Sequence, residues 1–206
     1  MDAYKVDYHI YTTYSIGGIR PLDVVKQAKE LEYDVISITD RNTTDGLQEA
    51  KIAAEAVEIR IVPGVELLAE TEDGIRLQIL GYNIDTENEE LQRFLKDRAG
   101  SGEPVRPEEA IGIIKKAGGT SVLGAPITIS GIGETGSEEF FENLERTIKS
   151  LKIMKLAGLE CFYPNQSERD TLRLAGLAEK YHLHMTRGSG FDGSDFSKAG
   201  DAATYI

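Results

Sequence analysis

The sequence predicts an α/β fold in which mostly parallel strands close, or nearly close, into a barrel. Three observations predict it. Short runs rich in β-branched residues alternate along the chain with amphipathic stretches of helical period. Prolines 21 and 107 stand at the first turn of two such stretches, where the missing N–H would be unpaired anyway. Seven candidate strands separated by helices suit a closed sheet better than an open one.

In chain order, Tyr4–Ile10 reads as the first strand and Pro21–Leu31 as the first helix. Val35–Thr39 is a strand, Thr43–Val57 a helix, and Ile59–Val62 a short strand. Glu72-Asp73-Gly74 reads as a hairpin turn leading into Ile75–Tyr82, so one strand pair is antiparallel. Helices over Asn88–Lys96 and Pro107–Ala117 flank the linker-like Ala99-Gly100-Ser101-Gly102-Glu103-Pro104, which is too short to separate domains. Thr120–Leu123, Gly158–Tyr163 and His182–Arg187 are strands, with helices over Glu138–Lys152 and Ser167–Tyr181 between them. The whole chain, 1–206, is expected to be one domain. In a barrel, side chains at the strand C-terminal ends converge on one mouth, and the site is expected there.

Composition narrows the function. The formal net charge is −12, with no cluster of Lys and Arg of the kind that neutralises nucleic-acid phosphates. No apolar run is long enough to span a bilayer, and no signal peptide is visible at the start. Cys161 is the only cysteine, so no intramolecular disulfide forms. These features point to a cytoplasmic protein that binds neither nucleic acid nor membrane.

The residues at the expected mouth carry a family resemblance. Asp7-Tyr8-His9-Ile10-Tyr11-Thr12-Thr13-Tyr14-Ser15 resembles D-L-H-x-H-T-x-x-S, and Ile38-Thr39-Asp40-Arg41-Asn42-Thr43 resembles I-T-D-H-N-T. Pro63-Gly64-Val65-Glu66 matches P-G-x-E, and Val122-Leu123-Gly124-Ala125-Pro126 resembles V-L-A-H-P. Leu159-Glu160-Cys161-Phe162-Tyr163-Pro164-Asn165-Gln166-Ser167 resembles I-E-V-Y-Y-P-x-H-S. Thr186-Arg187-Gly188-Ser189-Gly190-Phe191-Asp192-Gly193 resembles T-G-G-S-D-F-H-G. In this order the motifs are those of the polymerase and histidinol phosphatase (PHP) family of metal-dependent phosphoesterases. The resemblance implies that family's distorted (β/α)7, TIM-like barrel.

Members of the family hold divalent metals on His, Asp and Glu, activate a water, and hydrolyse phosphate esters. Of the ligand positions that the resemblance carries over, only His9 and Glu66 keep their residue. Tyr11, Arg41, Ala125 and Gln166 stand at histidine positions, as does Gln78 at one found in many members. Ile16 replaces an aspartate or histidine, Gly190 an aspartate, and Asp192 a histidine that it could replace as an oxygen ligand. The expectation is no cofactor, or at most one weakly bound divalent metal on His9, Glu66 and Asp192. The plainer reading makes His9, Asp40 and Glu66 a hydrogen-bonded polar cluster.

The departures gather at strand ends, while outer stretches stay family-like. Tyr8, Tyr11, Ile16, Ala125 and Gly190 are expected to line a pocket remade as apolar. That pattern reads as an engineered, emptied scaffold, with a natural pseudoenzyme as the competing account. Cys161 and His184 are the polar residues that look gained. They fall on consecutive strands, and side chains on neighbouring strands, about 4.8 Å apart, meet if they share a face. Alternation alone does not say which face Cys161 takes. A thiol beside an imidazole is an activated nucleophile for a small uncharged aryl ester, with Gln78, Gln166 or Arg41 available to the oxyanion. Ser189 and Lys155 rank below Cys161 as nucleophiles. The competing classes are a residual metal-dependent phosphoesterase and a non-catalytic binding or scaffold protein.

Overall fold

A computed structural model describes residues 5–97 and 99–193. Three parallel strands, β1 (Val6–Ile10), β2 (Val35–Ile38) and β3 (Arg60–Ile61), form one sheet in that order. Two helices, α1 (Pro21–Glu30) and α2 (Leu47–Val57), make its crossovers. The second sheet runs β4 (Gly64–Glu70), β5 (Arg76–Tyr82), β6 (Thr120–Gly124), β7 (Gly158–Phe162) and β8 (His184–Arg187). Between β5 and β6 lie α3 (Glu89–Asp97), a 3-10 turn and α4 (Pro107–Lys116), while α5 (Glu138–Ile153) and α6 (Glu168–Lys180) alternate with β6, β7 and β8.

The α/β class expected from the alternation is the one observed. Where seven strands are expected in a closed or nearly closed barrel, the described residues form eight strands in two sheets. The sheets meet at both edges through single bridges, Arg41 with Glu66 and Ile10 with Phe191. The additional strand is β4, the first arm of the hairpin at 71–75, where Thr71 N–H donates to Ile75 O. Its run Gly64–Glu70 is short of period-2 contrast because its residues are nearly all buried. Both β4–β5 and β5–β6 pair antiparallel, so two pairs, not one, depart from the parallel rule. The second helix starts at Leu47, not Thr43, because Asn42 takes a left-handed φ of 59° and Thr44 O accepts from Leu47 N–H in a turn.

Local chemistry places the other helix ends. Pro21 and Pro107 open α1 and α4, while Ser137 and Ser167 cap α5 and α6 by accepting from Phe140 N–H and Asp170 N–H. Val6, Val35, Val62, Leu80, Tyr82 and Val122, with Tyr8 beside them, fill the space between the sheets at the strands' N-terminal ends. The outer faces pack on the helices in two further clusters. The linker-like stretch holds a 3-10 turn over Ala99–Ser101, and Val105 then bridges back to Ala69. Among the described residues no helix is long and apolar enough to cross a membrane.

Two irregularities position the site. The β1–β2 register shifts between Asp7 and Ile10, and the β7–β8 register shifts between Glu160 and Phe162. Such bulges re-aim side chains, and these two lie beside His9 and Glu160.

Candidate functional site

Where the strands end, charged side chains from β1, β4 and β7 meet in the dark of the fold. His9, Glu66 and Glu160 are all fully buried. Nδ1 of His9 lies 3.0 Å from Glu160 Oε2, and its Nε2 lies 3.3 Å from Glu66 Oε2 and 2.8 Å from the Tyr11 hydroxyl. Tyr11 donates to Glu66 Oε2 at 2.5 Å, and Gln78 Nε2 donates to the Tyr11 oxygen at 3.1 Å. Arg41 completes the row, with Nε 2.5 Å from Glu66 Oε1. At the other end the Ala125 N–H donates to Glu160 Oε2 at 2.7 Å. The result is a chain of alternating charge, Glu160, His9, Glu66, Arg41.

The electrostatics follow. Burial alone would depress the His9 pKa, but the charges and hydrogen bonds of Glu160 and Glu66 outweigh it and hold it up at about 10. Burial pushes Glu66 up, yet its hydrogen bond to His9, the His9 charge and Arg41 bring it below the usual carboxylate range. Tyr11 is pushed well above an ordinary phenol, first by burial and then by the Glu66 charge. Asp7 sits apart and is raised to about 6 by burial, against hydrogen bonds from Ser189 and from the His9 N–H. Asp40 accepts from Thr12 N–H, Thr12 Oγ1 and Ser15 Oγ at 2.7, 2.6 and 2.5 Å, which orders the loop after β1.

Among the described residues His9 and Glu66 form the expected polar cluster, without Asp40. Tyr11 fills its place with a hydroxyl committed to Glu66, and Ala125 serves through its backbone N–H. Tyr8 packs against Tyr82 (ring centroids 5.7 Å apart), in the apolar plug at the other end of the strands. Ile16 is 51% exposed on the loop. Gly190 has a φ of 64°, which strains any other residue, and a side chain there would have to displace the Tyr163 hydroxyl. Gln166 donates to Cys161 O and to Thr171 Oγ1, fastening the turn after β7 instead of reaching the mouth. Asp192 is exposed beyond β8, where its backbone carbonyl accepts from Gly18 N–H.

The structure does not bring Cys161 and His184 together. His184 pairs with Gly158 at the start of β8, three residues short of Cys161 and so roughly 10 Å away along the strand at ~3.3 Å per residue. Cys161 lies with Leu159 in the core beneath the helices, whereas His184 is exposed. Burial and the neighbouring Glu160 charge push the thiol up to about 12, the reverse of nucleophile activation. Ser189 is committed to Asp7, and Lys155 is exposed on the loop before β7, at the opposite end of the strand from the charged row. The expected result is that a disulfide-exchange reagent leaves native Cys161 unmodified and reacts fully in denaturant. Rapid native labelling would contradict this placement.

Glu160, buried between His9 and the Ala125 N–H, is the central residue that the ligand positions of the motifs do not single out. Its signal was a carboxylate in the middle of the otherwise apolar strand Gly158–Phe162.

Metal ligation can be tested on this donor set. Glu66 and Glu160 bind opposite edges of the His9 ring, so the three do not converge on one point. Both Glu66 oxygens are already engaged, by Arg41 and by Tyr11. Among the described residues no three His, Cys, Asp or Glu side chains are placed to share an ion. The residues present do not fit the multinuclear centre that the motifs imply.

Comparison with known proteins agrees on the fold and on the lineage. A 5'-3' exoribonuclease of Haemophilus influenzae is 32% identical over 117 residues, which is 55% of this chain and 41% of that protein. The chain thus spans less than half the length of that relative. An uncharacterized protein of Methanocaldococcus jannaschii, MJ1587, is 30% identical over 133 residues, covering 59% of this chain and 67% of that one. The solved structure of an amidohydrolase from Chromobacterium violaceum, with bound sulfate and no metal, superposes with a TM-score of 0.82 at 19% identity. That match covers 98% of this chain and 91% of the other. The model of the PHP domain matches residues 7–192, from the first strand's Asp7 to the exposed Asp192, and the chain belongs to the PHP domain family.

Proposed function

We propose that this chain is a PHP-family domain that binds a phosphate-bearing ligand at its mouth without hydrolysing it by the family's metal chemistry. The observation that supports this reading is the state of Arg41. Its Nε–H is fixed on buried Glu66, while the side chain remains 29% exposed. A guanidinium carries five N–H donors in a rigid fork, so an anchored and partly exposed one offers aimed donors to a phosphate. The row of charges at the mouth suits an anionic ligand better than an uncharged ester, and the distance between Cys161 and His184 gives the thiol route no support. Phosphate esters are the ligand class because the H. influenzae relative is named as a ribonuclease and the motifs are those of phosphoesterases.

Titration calorimetry with phosphate monoesters and with inorganic phosphate tests the reading. Binding to the wild-type chain is expected, weakened about tenfold or more in Arg41→Gln, the equivalent of losing one charge-assisted contact. Hydrolysis of these esters is expected to stay at background with manganese or zinc added. Metal-stimulated turnover by the wild-type chain would reinstate the residual phosphoesterase. Absence of binding, or equal binding by the variant, would remove phosphate as the ligand.

A further inference from the structure

The site departs from its family in a coordinated way. A buried ionised carboxylate is costly unless hydrogen bonds or a cation compensate it, and the family resemblance implies divalent ions in that role. Here Glu66 is fully buried and its Oε1 meets Arg41 Nε at 2.5 Å. Its Oε2 takes the Tyr11 hydroxyl at 2.5 Å and lies 3.3 Å from His9 Nε2. Tyr11 and Arg41 stand where the motifs carry histidine ligands, so the positions that lost metal-binding capacity are the ones that now satisfy the remaining carboxylate. Ala125, a third such position, contributes the N–H that holds Glu160 on His9.

From this we infer that Arg41 is a built-in substitute for the metal: its guanidinium neutralises Glu66, so the domain folds and keeps its mouth ordered without a divalent ion. Arginine suits the task because it stays charged at any working pH and sheds water more readily than an ammonium. The Tyr11 ring supports it, with the guanidinium carbon 5.9 Å from the ring centroid. A backbone bridge between Arg41 and Glu66 fixes the two residues side by side before their side chains meet. A corollary is that removing the guanidinium opens the Glu66 carboxylate alone to an external cation.

Thermal unfolding of the full chain tests this with no phosphate ligand present, so its outcome is independent of the proposed binding function. The wild-type Tm is expected to be the same in EDTA and in saturating manganese chloride. Arg41→Ala is expected to lower Tm by about 10 °C in EDTA, as for an uncompensated buried charge in a chain of this size, and manganese is expected to restore at least half of the loss. The double variant Arg41→Ala, Glu66→Gln removes both charges. It is expected to unfold above the single variant in EDTA and to ignore manganese. A wild-type Tm that falls in EDTA or rises in manganese would overturn the inference. So would an Arg41→Ala chain as stable as wild type, one whose Tm manganese leaves unchanged, or a double variant no more stable than the single one. If Arg41→Ala does not fold in EDTA, the double variant still decides, because it folds only if the unpaired carboxylate was the fault.

Discussion

Urea unfolding of Glu160→Ala at neutral pH is expected to show a loss of about 3–5 kcal/mol with an unchanged slope, the usual cost of removing one partner from a buried ion pair. Glu160 has no exposed surface, and it accepts from the Ala125 N–H and contacts both its own bridge partner and the end of β6. Without it, His9 must give up its proton or keep a charge with one partner fewer, and the Ala125 N–H is left without its acceptor. The cavity adds to both penalties. Glu160→Gln keeps the volume and one acceptor oxygen, and should lose about half as much. A loss below ~1 kcal/mol for the alanine variant would mean that the row of charges contributes little to the fold.

The same row predicts how stability depends on pH. The His9 pKa is raised from 6.5 to about 10 in the folded chain, so the native state holds that proton more tightly than the unfolded one. Its contribution is complete below 6.5 and is lost as pH rises through about 10. A shift of this size corresponds to several kcal/mol, on the order of 3–5. Asp7 also has a raised value, about 6, so its contribution is confined to lower pH and is gone before the His9 decline is far advanced. Glu66 is depressed, so its contribution is lost on the acid side as pH falls through its folded value. Unfolding free energies measured across the range should therefore peak in acidic solution, decline as pH rises through the Asp7 value of about 6, and fall further toward pH 10. Glu160→Gln, which removes the largest charge acting on His9, should flatten the alkaline limb. A profile that is level from neutrality to about pH 10 would show that His9 is neutral in the native state.

Much of the architecture was legible because it rests on local signals. Pro21 and Pro107, the hairpin turn at 72–74 and the alternation of element types each act within a few residues. The strand Gly64–Glu70 was not, since burial on nearly every position erases the two-residue period. At the site, His9 and Glu66 were readable from their motifs, and the substitutions around them were readable as losses. What those substitutions do was not. Tyr11 could be taken for an apolar wall because its hydroxyl becomes a structural donor only opposite Glu66, 55 residues away. Arg41 read as an oxyanion donor, but its partner lies on a strand of the other sheet. Cys161 and His184 looked paired because consecutive strands are neighbours. Register and facing separate them, and neither is written in residue type.

The two sheets are stitched together by single bridges, one of them at Arg41 and Glu66. At that stitch the Asn42 N–H donates to Glu66 O at 2.7 Å and the Glu66 N–H donates to Asp40 O at 3.2 Å, alongside the side-chain ion pair. Backbone closure and charge neutralisation thus reside in the same two residues. Parting the sheets along this seam strips Glu66 of its cation at the moment water enters, and re-forming the ion pair draws the seam shut. The edge of the sheet and the floor of the mouth thus share one fastening, the Arg41–Glu66 pair.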